Sequence, residues 1–395
     1  VMSIKYRIDN EIEQTIAMKI NEELAFPDQI SIVRAELYTF NKKPRAKVWK
    51  DGTGKVSREW SFPAWMRIYD KDGYYGEGTA SPEVWKIFLP MMLKDNTPRT
   101  NLEWRRLFYW KERAAVGTFR AMSQIEMMMF DLLARKKEIP LHRMLGAKRD
   151  YCDVYKGGGS VLRSDEELAE ELLAIKEEGF KGTKFKISIC EPERDIRRME
   201  KVRRALGPDF KIAVDSNQAW DAQTCMEFIR GAYEYGIEWY EEPVQAYEME
   251  EIAKLASMMK EEGLEVPIAM GESAKYYDTF CSYVHSGVKV LQPTPFIYTI
   301  AEALRVADYG RKHGCRITSG QGYMPGVLMG TLLEEGELIE FHKPNQDYVE
   351  DYYCVRSELR DGKMYLPDIP GIPVRVDFEK LKADGCIAGI QYFEQ

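Results

Sequence analysis

The sequence has no C-x-x-C pair and only four histidines, His142, His285, His313 and His342. That excludes a zinc site of the Cys/His kind. Its seven cysteines, at 152, 190, 225, 281, 315, 354 and 386, are odd in number and scattered, several of them within apolar runs. They read as reduced core residues of a cytoplasmic protein, not as a disulfide framework. No apolar run approaches the ~18 residues of a membrane span. Residues 1–10 lack the apolar centre of a secretory leader. There is no basic excess either: 56 Lys and Arg face 64 Asp and Glu, a net charge of −8. A nucleic-acid partner, which needs a concentrated basic surface, is therefore not expected. Arg194, Arg197, Arg198, Lys201, Arg203 and Arg204 do cluster, but among acids at helical spacing, and they read as a solvated helix face. Glycine (29) and proline (18) follow no short period, which excludes collagen-like or low-complexity chain.

What is present is apolar mass. Of 395 residues 45% are hydrophobic, with 8 Trp, 23 Tyr and 16 Phe, enough for a large core. Residues 1–29 form an N-terminal extension with no clear pattern. Residues 30–40 and 62–69 alternate like strands, and a turn is expected at 70–73. Residues 82–147 are helical by period, with a wide apolar stripe over 123–135 whose methionines read as core filler. Residues 30–150 thus form a small α+β domain. From about 151 the pattern changes to short apolar strands alternating with amphipathic helices. The strands are expected at 152–157, 183–188, 211–217, 237–243, 267–273, 289–294, 315–321 and 337–342. Seven helices separate eight strands, which points to a closed parallel barrel over 151–343. The tail, 344–395, contains a proline-rich loop at 366–373 and is expected to pack back on the N-terminal domain.

In a parallel barrel, chemistry sits at the C-terminal strand ends. Strand two ends Lys184-Phe185-Lys186, strand three Asp215-Ser216-Asn217, strand four Glu241-Glu242-Pro243 and strand five Gly271-Glu272-Ser273. Strand six ends Gln292-Pro293-Thr294, strand seven Thr318-Ser319-Gly320-Gln321, and strand eight carries Glu340-Phe341-His342. Three successive strands deliver the carboxylates Asp215, Glu241 and Glu272, about 4.8 Å apart by strand spacing. Such a group needs a neutralising charge, and a hard divalent cation such as Mg²⁺ supplies it. The alternative is three separate salt bridges. Lys184 and Lys186 share a strand face. Side by side they depress each other's pKa and make a general base, unless each is simply paired to a carboxylate.

Taken in order, K-x-K at 184–186, D-x-N at 215–217, E-E-P at 241–243 and G-E-S at 271–273 resemble the enolase superfamily, in its mandelate racemase-like branch. The segment 123–146 is similar to that family's stretch before the barrel. The resemblance runs over roughly 30–385. It implies a modified TIM barrel, (β/α)7β, beneath an N-terminal α+β capping domain. It implies Mg²⁺ on Asp215, Glu241 and Glu272, with Lys186 as the base removing the proton α to a carboxylate. Lys184 would sit beside that carboxylate, and Glu340 would be a protonated acid donating to the enolate oxygen. Barrels of this family commonly associate, so a homo-oligomer is expected.

Two departures matter. The branch's Asp ending strand six is Thr294 here, and its His ending strand seven is absent from 318–321. A two-base racemase needs a proton acceptor on each face of the α-carbon, whereas dehydration runs with one base. The expected activity is thus Mg²⁺-dependent elimination of water from a sugar acid to a 2-keto-3-deoxy acid. The alternatives are an epimerase acting on a carboxylate, or a protein that binds metal and sugar acid without turnover. The acid replacing the missing pair is Lys186 itself, a loop tyrosine or His342, which shares Glu340's face. Lys275 and Lys289 are further candidates, although Lys289 is expected deep in strand six or facing out. Asn217, Thr294 and Gln321 are the expected substrate contacts. Capping loops 44–62 and 80–86 would close the site, with a flexible tip at 51–54. Trp49, Trp60 and Trp85 either line it or belong to the core.

Overall fold

The structure, a computed structural model, describes residues 24–60, 62–95, 97–114, 118–189, 191–274, 276–294, 299–319, 323–342 and 350–395. Eight parallel strands close into a barrel. They are numbered here 1 to 8: Tyr151–Gly158, Gly182–Lys186, Lys211–Asp215, Tyr240–Glu241, Ile268–Met270, Val290–Leu291, Arg316–Ser319 and Leu338–His342. Strand 8 pairs with strand 1, Glu340 opposite Tyr155 and His342 opposite Gly157, which closes the ring. Seven helices, one between each successive pair, cover the outside.

Local sequence sets where these helices begin. Ser164 accepts from Glu167 N at 3.1 Å while Glu167 reaches back to Ser164 N, a reciprocal cap on helix Asp165–Glu177. Asp221 accepts from Thr224 N at 2.8 Å to start helix Ala222–Ala232. Such caps are each worth about 1 kcal/mol.

Inside the barrel, Tyr155, Ala213, Trp239, Ala269 and Val290 form a buried apolar layer. The Tyr155 and Trp239 rings meet edge to face with centroids 5.0 Å apart. This layer is a floor. Beyond it toward the C-terminal strand ends stand Asp215, two residues past Ala213, and Glu241, two residues past Trp239.

The N-terminal domain is an antiparallel sheet in the order Ile387–Glu394, Arg34–Phe40, Trp65–Tyr69, Tyr75–Thr79. Its face packs on the helix Thr118–Lys136, whose methionines Met127, Met128 and Met129 are buried. The tail supplies the edge strand Ile387–Glu394 of this sheet. Another tail hairpin, Glu358–Arg360 with Lys363–Tyr365, pairs antiparallel with barrel strand 1. No helix among the described residues is long and apolar enough to cross a membrane.

Two sequence readings need correction. Arg198 is fully buried, and Arg203 donates to the carbonyls of Tyr235, Gly207, Pro208, Phe210 and Gly236, so neither lies on a solvated face. Charge spacing along a helix does not reveal which arginine finds buried carbonyls. Cys354 is exposed and Cys281 half-buried, while Cys152, Cys225, Cys315 and Cys386 are buried; Cys190 lies outside the described residues. Lys289 faces out, in line with the reading of strand six: it is exposed at the N-terminal end of that strand, the far end of the barrel from the strand-end carboxylates.

Gly76 lies against the helix Thr118–Lys136 so closely that a Cβ would stand 1.8 Å from Met128 O. Backbone cannot yield as a side chain can. Gly76→Ala should therefore cost about 3 kcal/mol, read as a lower melting temperature in thermal denaturation.

Candidate active site

Asp215 ends strand 3, Glu241 ends strand 4, and Glu272 follows strand 5. Asp215 pairs in register with Glu241, and Glu241 with Ala269. One carboxylate oxygen from each of the three acids lies within 4.8 Å of the other two. Asp215 and Glu241 are buried and Glu272 is half-buried. These are hard oxygen donors converging on one point, a set that suits an octahedral divalent cation with open positions left for water and substrate.

Both lysines of strand 2 face the same point. Lys184 Nζ lies 2.7 Å from Glu241 Oε1, 3.0 Å from Glu340 Oε1 and 3.3 Å from Asp215 Oδ2. Lys186 Nζ donates to Asp215 Oδ2. Burial works against both ammonium charges, but the carboxylates outweigh it. Glu241, Glu340 and Asp215 raise Lys184 well above its usual range, and Asp215 raises Lys186. Lys184 does lower Lys186, as side-by-side charges must, but by less than Asp215 raises it. The expected mutual depression is thus overruled by the acids. Burial raises Asp215, but Lys186 and Lys184 more than reverse this and hold it well below the usual carboxylate range. For Glu241 burial dominates. Lys184 opposes it, Asp215 and Glu340 add to it, and the carboxyl is pushed up to about 8.

Glu340 Oε1 lies 3.0 Å from Lys184 Nζ. Its place depends on Gly157 of the neighbouring strand, where a Cβ would stand 2.2 Å from Glu340 Oε1 and 3.2 Å from the His342 ring. His342 is half-buried and meets Trp49 edge to face, with centroids 5.5 Å apart. Burial, then the charges of Lys186 and Lys184, push His342 well below its usual pKa, so the imidazole is neutral.

Trp49 comes from the capping hairpin Lys43–Lys50 with Val56–Trp60. Lys50 N donates to Ser160 Oγ at 2.8 Å, Ser160 Oγ donates to Lys50 O, and Arg163 donates to Val48 O at 3.2 Å. Gly52, at the tip, lies so near barrel strand 3 that a Cβ would stand 2.4 Å from Ser216 O. Within the tip at 51–54, Gly52 thus meets the barrel, while Thr53 and Gly54 are exposed. Trp60 instead carries the Arg45 guanidinium 3.6 Å from its ring centroid, and Trp85 packs in the capping core.

Asn217 N donates to Asp215 Oδ1 at 2.8 Å from a left-handed backbone, φ 47°. Thr294 is buried two residues past Gln292, whose Nε2 donates to Glu241 Oε2 at 2.8 Å. Gln321 and Lys275 lie outside the described residues. Asn217 Oδ1, Gln292 Oε1, Thr318 Oγ1 and His342 Nδ1 are buried with no hydrogen-bond partner among the described residues. Buried polar atoms are rarely left so. In a barrel mouth they mark a polar hollow shaped for guest oxygens.

Sequence reasoning missed Gln292 as the partner of Glu241, and it missed Glu242. Glu242 is buried, at φ 42°, and accepts from Ser273 Oγ at 2.7 Å and Gln218 Nε2 at 2.9 Å. Only its place in E-E-P signalled it, and nothing there says which way a residue past a strand end turns.

Residues 167–381 match the family described as enolase C-terminal domain-like. The chain belongs to this family. The resemblance read from the strand-end motifs is borne out, as is the barrel with its capping domain. The L-talarate/galactarate dehydratase of Salmonella typhimurium is 29% identical over 258 residues, 64% of this chain and 62% of that protein. The chain thus matches less than two-thirds of that relative's length. The arabinonate dehydratase of Saccharolobus solfataricus is 27% identical over 327 residues, 77% of this chain and 86% of that one. A racemase from Streptomyces coelicolor A3(2), solved with bound magnesium, shares the fold with a TM-score of 0.78 at 22% identity, over 90% of this chain and 99% of that one. Within this enolase-like fold, strands 6 and 7 bring Gln292, Thr294 and Thr318 to the mouth.

Burial, then Glu272 and Asp215, push the Glu242 carboxyl up to about 7. The folded protein therefore holds this proton more tightly than the unfolded chain, whose glutamate titrates near 4.5. Stability from Glu242 is full below pH 4.5 and is lost as pH rises through 7. The loss is on the order of 3 kcal/mol at most. Denaturant melts of chelator-treated protein from pH 4.5 to 8 should show it, and Glu242→Gln should flatten that part of the profile.

Proposed function

We propose that the protein is a Mg²⁺-dependent lyase that removes the proton α to the carboxylate of a sugar acid and eliminates water to give a 2-keto-3-deoxy acid. The observation that carries this reading is the convergence of Asp215, Glu241 and Glu272 within 4.8 Å, facing Lys184 and Lys186 across one hollow. Two dehydratases of sugar acids among its relatives support it.

Asp215, Glu241 and Glu272 would hold the cation, and Glu242, Gln218 and Ser273 brace that cluster from behind. Mg²⁺ bound there supplies positive charge to the substrate carboxylate as enediolate charge develops. Lys184 adds a second positive charge beside it. Asp215, once committed to the cation, would no longer hold the Lys186 proton, and Lys186 as the free amine would take the α-proton. The electron pair then forms the Cα–Cβ double bond as the β-hydroxyl leaves. Lys186 now carries the proton and returns it to the departing oxygen, which leaves as water, and the enol tautomerises to the keto acid. A neutral His342 is a poor acid, which is why the returning proton is assigned to Lys186.

A second reading is a one-base epimerase, in which Lys186 would remove the α-proton and reprotonation of the other face would follow without loss of the β-hydroxyl.

Proton NMR in D₂O separates these. Mg²⁺-loaded protein with pooled aldonic and aldaric acids should give keto-acid signals, and Lys186→Ala should lower them by about 10²- to 10⁴-fold, the contribution of a positioned general base. Deuterium at the α-carbon without keto acid would favour epimerisation. A panel silent in both proteins, with ligand-induced thermal shifts in both, would mean binding without turnover. Separately, Mg²⁺ added to chelator-treated protein should raise the melting temperature, and Glu272→Gln should abolish the rise.

A further inference from the structure

We infer that Arg198, paired with Asp195 on the helix Pro192–Leu206, is a positioning residue for Lys186. The inference rests on Lys186 acting as the base. Arg198 is 0% exposed, as is Asp195. One guanidinium nitrogen donates to Lys186 O at 2.9 Å and lies 3.0 Å from Asp195 Oδ1. The other donates to Ser160 O at 3.2 Å. The guanidinium also lies 5.6 Å from the ring centroid of Phe185, the residue between the two lysines. Asp195 Oδ2 accepts from Ser188 N at 2.7 Å, and Ser188 is held at φ 78°. The pair therefore grips the backbone at residue 186 and again two residues later.

A buried guanidinium is expensive to keep unless each contact is needed, and an apolar pair of similar volume would fill the same space. What only a planar fork can do here is hold two carbonyls from two different strand ends at once. Those carbonyls belong to Lys186 and to Ser160, whose hydroxyl clasps Lys50 of the capping hairpin. Arg198 thus fixes the base on strand 2 against the loop that carries the cap. It touches none of the hollow's acids itself.

The test reads Lys186 directly. Protein labelled at the lysine ε-carbon with ¹³C gives one correlation per lysine, and the Lys186 signal is assigned by its disappearance in Lys186→Met. In folded Arg198→Met this signal should move or broaden, while signals of lysines far from the site stay put. Arg198→Lys, which reaches one carbonyl, should lie between. With the sugar-acid panel, Arg198→Met should lower turnover 10- to 100-fold, with the half-saturating substrate concentration within about threefold of wild type. An unmoved Lys186 signal in folded Arg198→Met would overturn the inference. So would a loss expressed only in the half-saturating concentration. If Arg198→Met does not fold, Asp195→Asn decides in the same way: an unmoved signal in it overturns the proposal. A wild-type protein silent on the panel would sink the dehydratase reading alone, because the lysine signal needs no substrate.

Discussion

Everything at the barrel mouth follows from an excess of negative charge above an apolar floor. Asp215, Glu241, Glu242, Glu272 and Glu340 gather there against Lys184 and Lys186. Water cannot screen them from below, where Tyr155 and Trp239 seal the barrel. Two ammonium groups do not balance five acids. The consequence is seen in the opposite fates of two neighbours. Asp215, touched by both lysines, is held ionised, while Glu241 and Glu242 are driven toward their neutral forms. A site in this condition favours any compact positive charge that three of its oxygens can reach together.

The barrel is what makes that geometry cheap. Parallel strands in register end side by side, so one acid at the end of each of three consecutive strands converges without any special loop. Alternation then places Lys184 and Lys186 on one face, and Glu340 and His342 on one face of strand 8. Gly157 on the strand between them has no side chain, and the space goes to Glu340. The capping hairpin completes the enclosure by backbone contacts to Ser160, whose own carbonyl is held by Arg198.

These features were legible in the sequence to different degrees, for physical reasons. The strand-end acids and K-x-K were readable because strand period and barrel polarity together dictate where such residues point. The seven-helix, eight-strand count was readable because each unit buries its own apolar face. Arg198 was not. The helix Pro192–Leu206 has charged residues on several faces, and period alone cannot say which arginine stem passes under a loop to reach Lys186 O. Glu242 and Gln292 were hidden for a different reason: backbone past a strand end leaves the extended conformation, as Glu242 does at φ 42°, and alternation no longer applies.

The asymmetry of the hollow bears on its chemistry. In an eight-stranded ring, strand 6 lies diametrically across from strand 2. Lys186 stands on one side with Lys184, Glu340 and His342 close by on strands 8 and 2. The far side offers Gln292, Thr294 and Thr318. Hydroxyls and amides at neutral pH neither take nor give protons readily, but they hydrogen-bond well to the hydroxyls of a polyol chain. Gln292 is further committed to Glu241, leaving its carbonyl oxygen turned to the hollow. Such a division, proton transfer on one wall and hydroxyl recognition on the other, suits the proposed elimination, in which Lys186 would take a proton and return it on the same face. Gln292, Thr294 and Thr318 are the described groups on the opposite wall, and that reaction asks none of them to carry a proton.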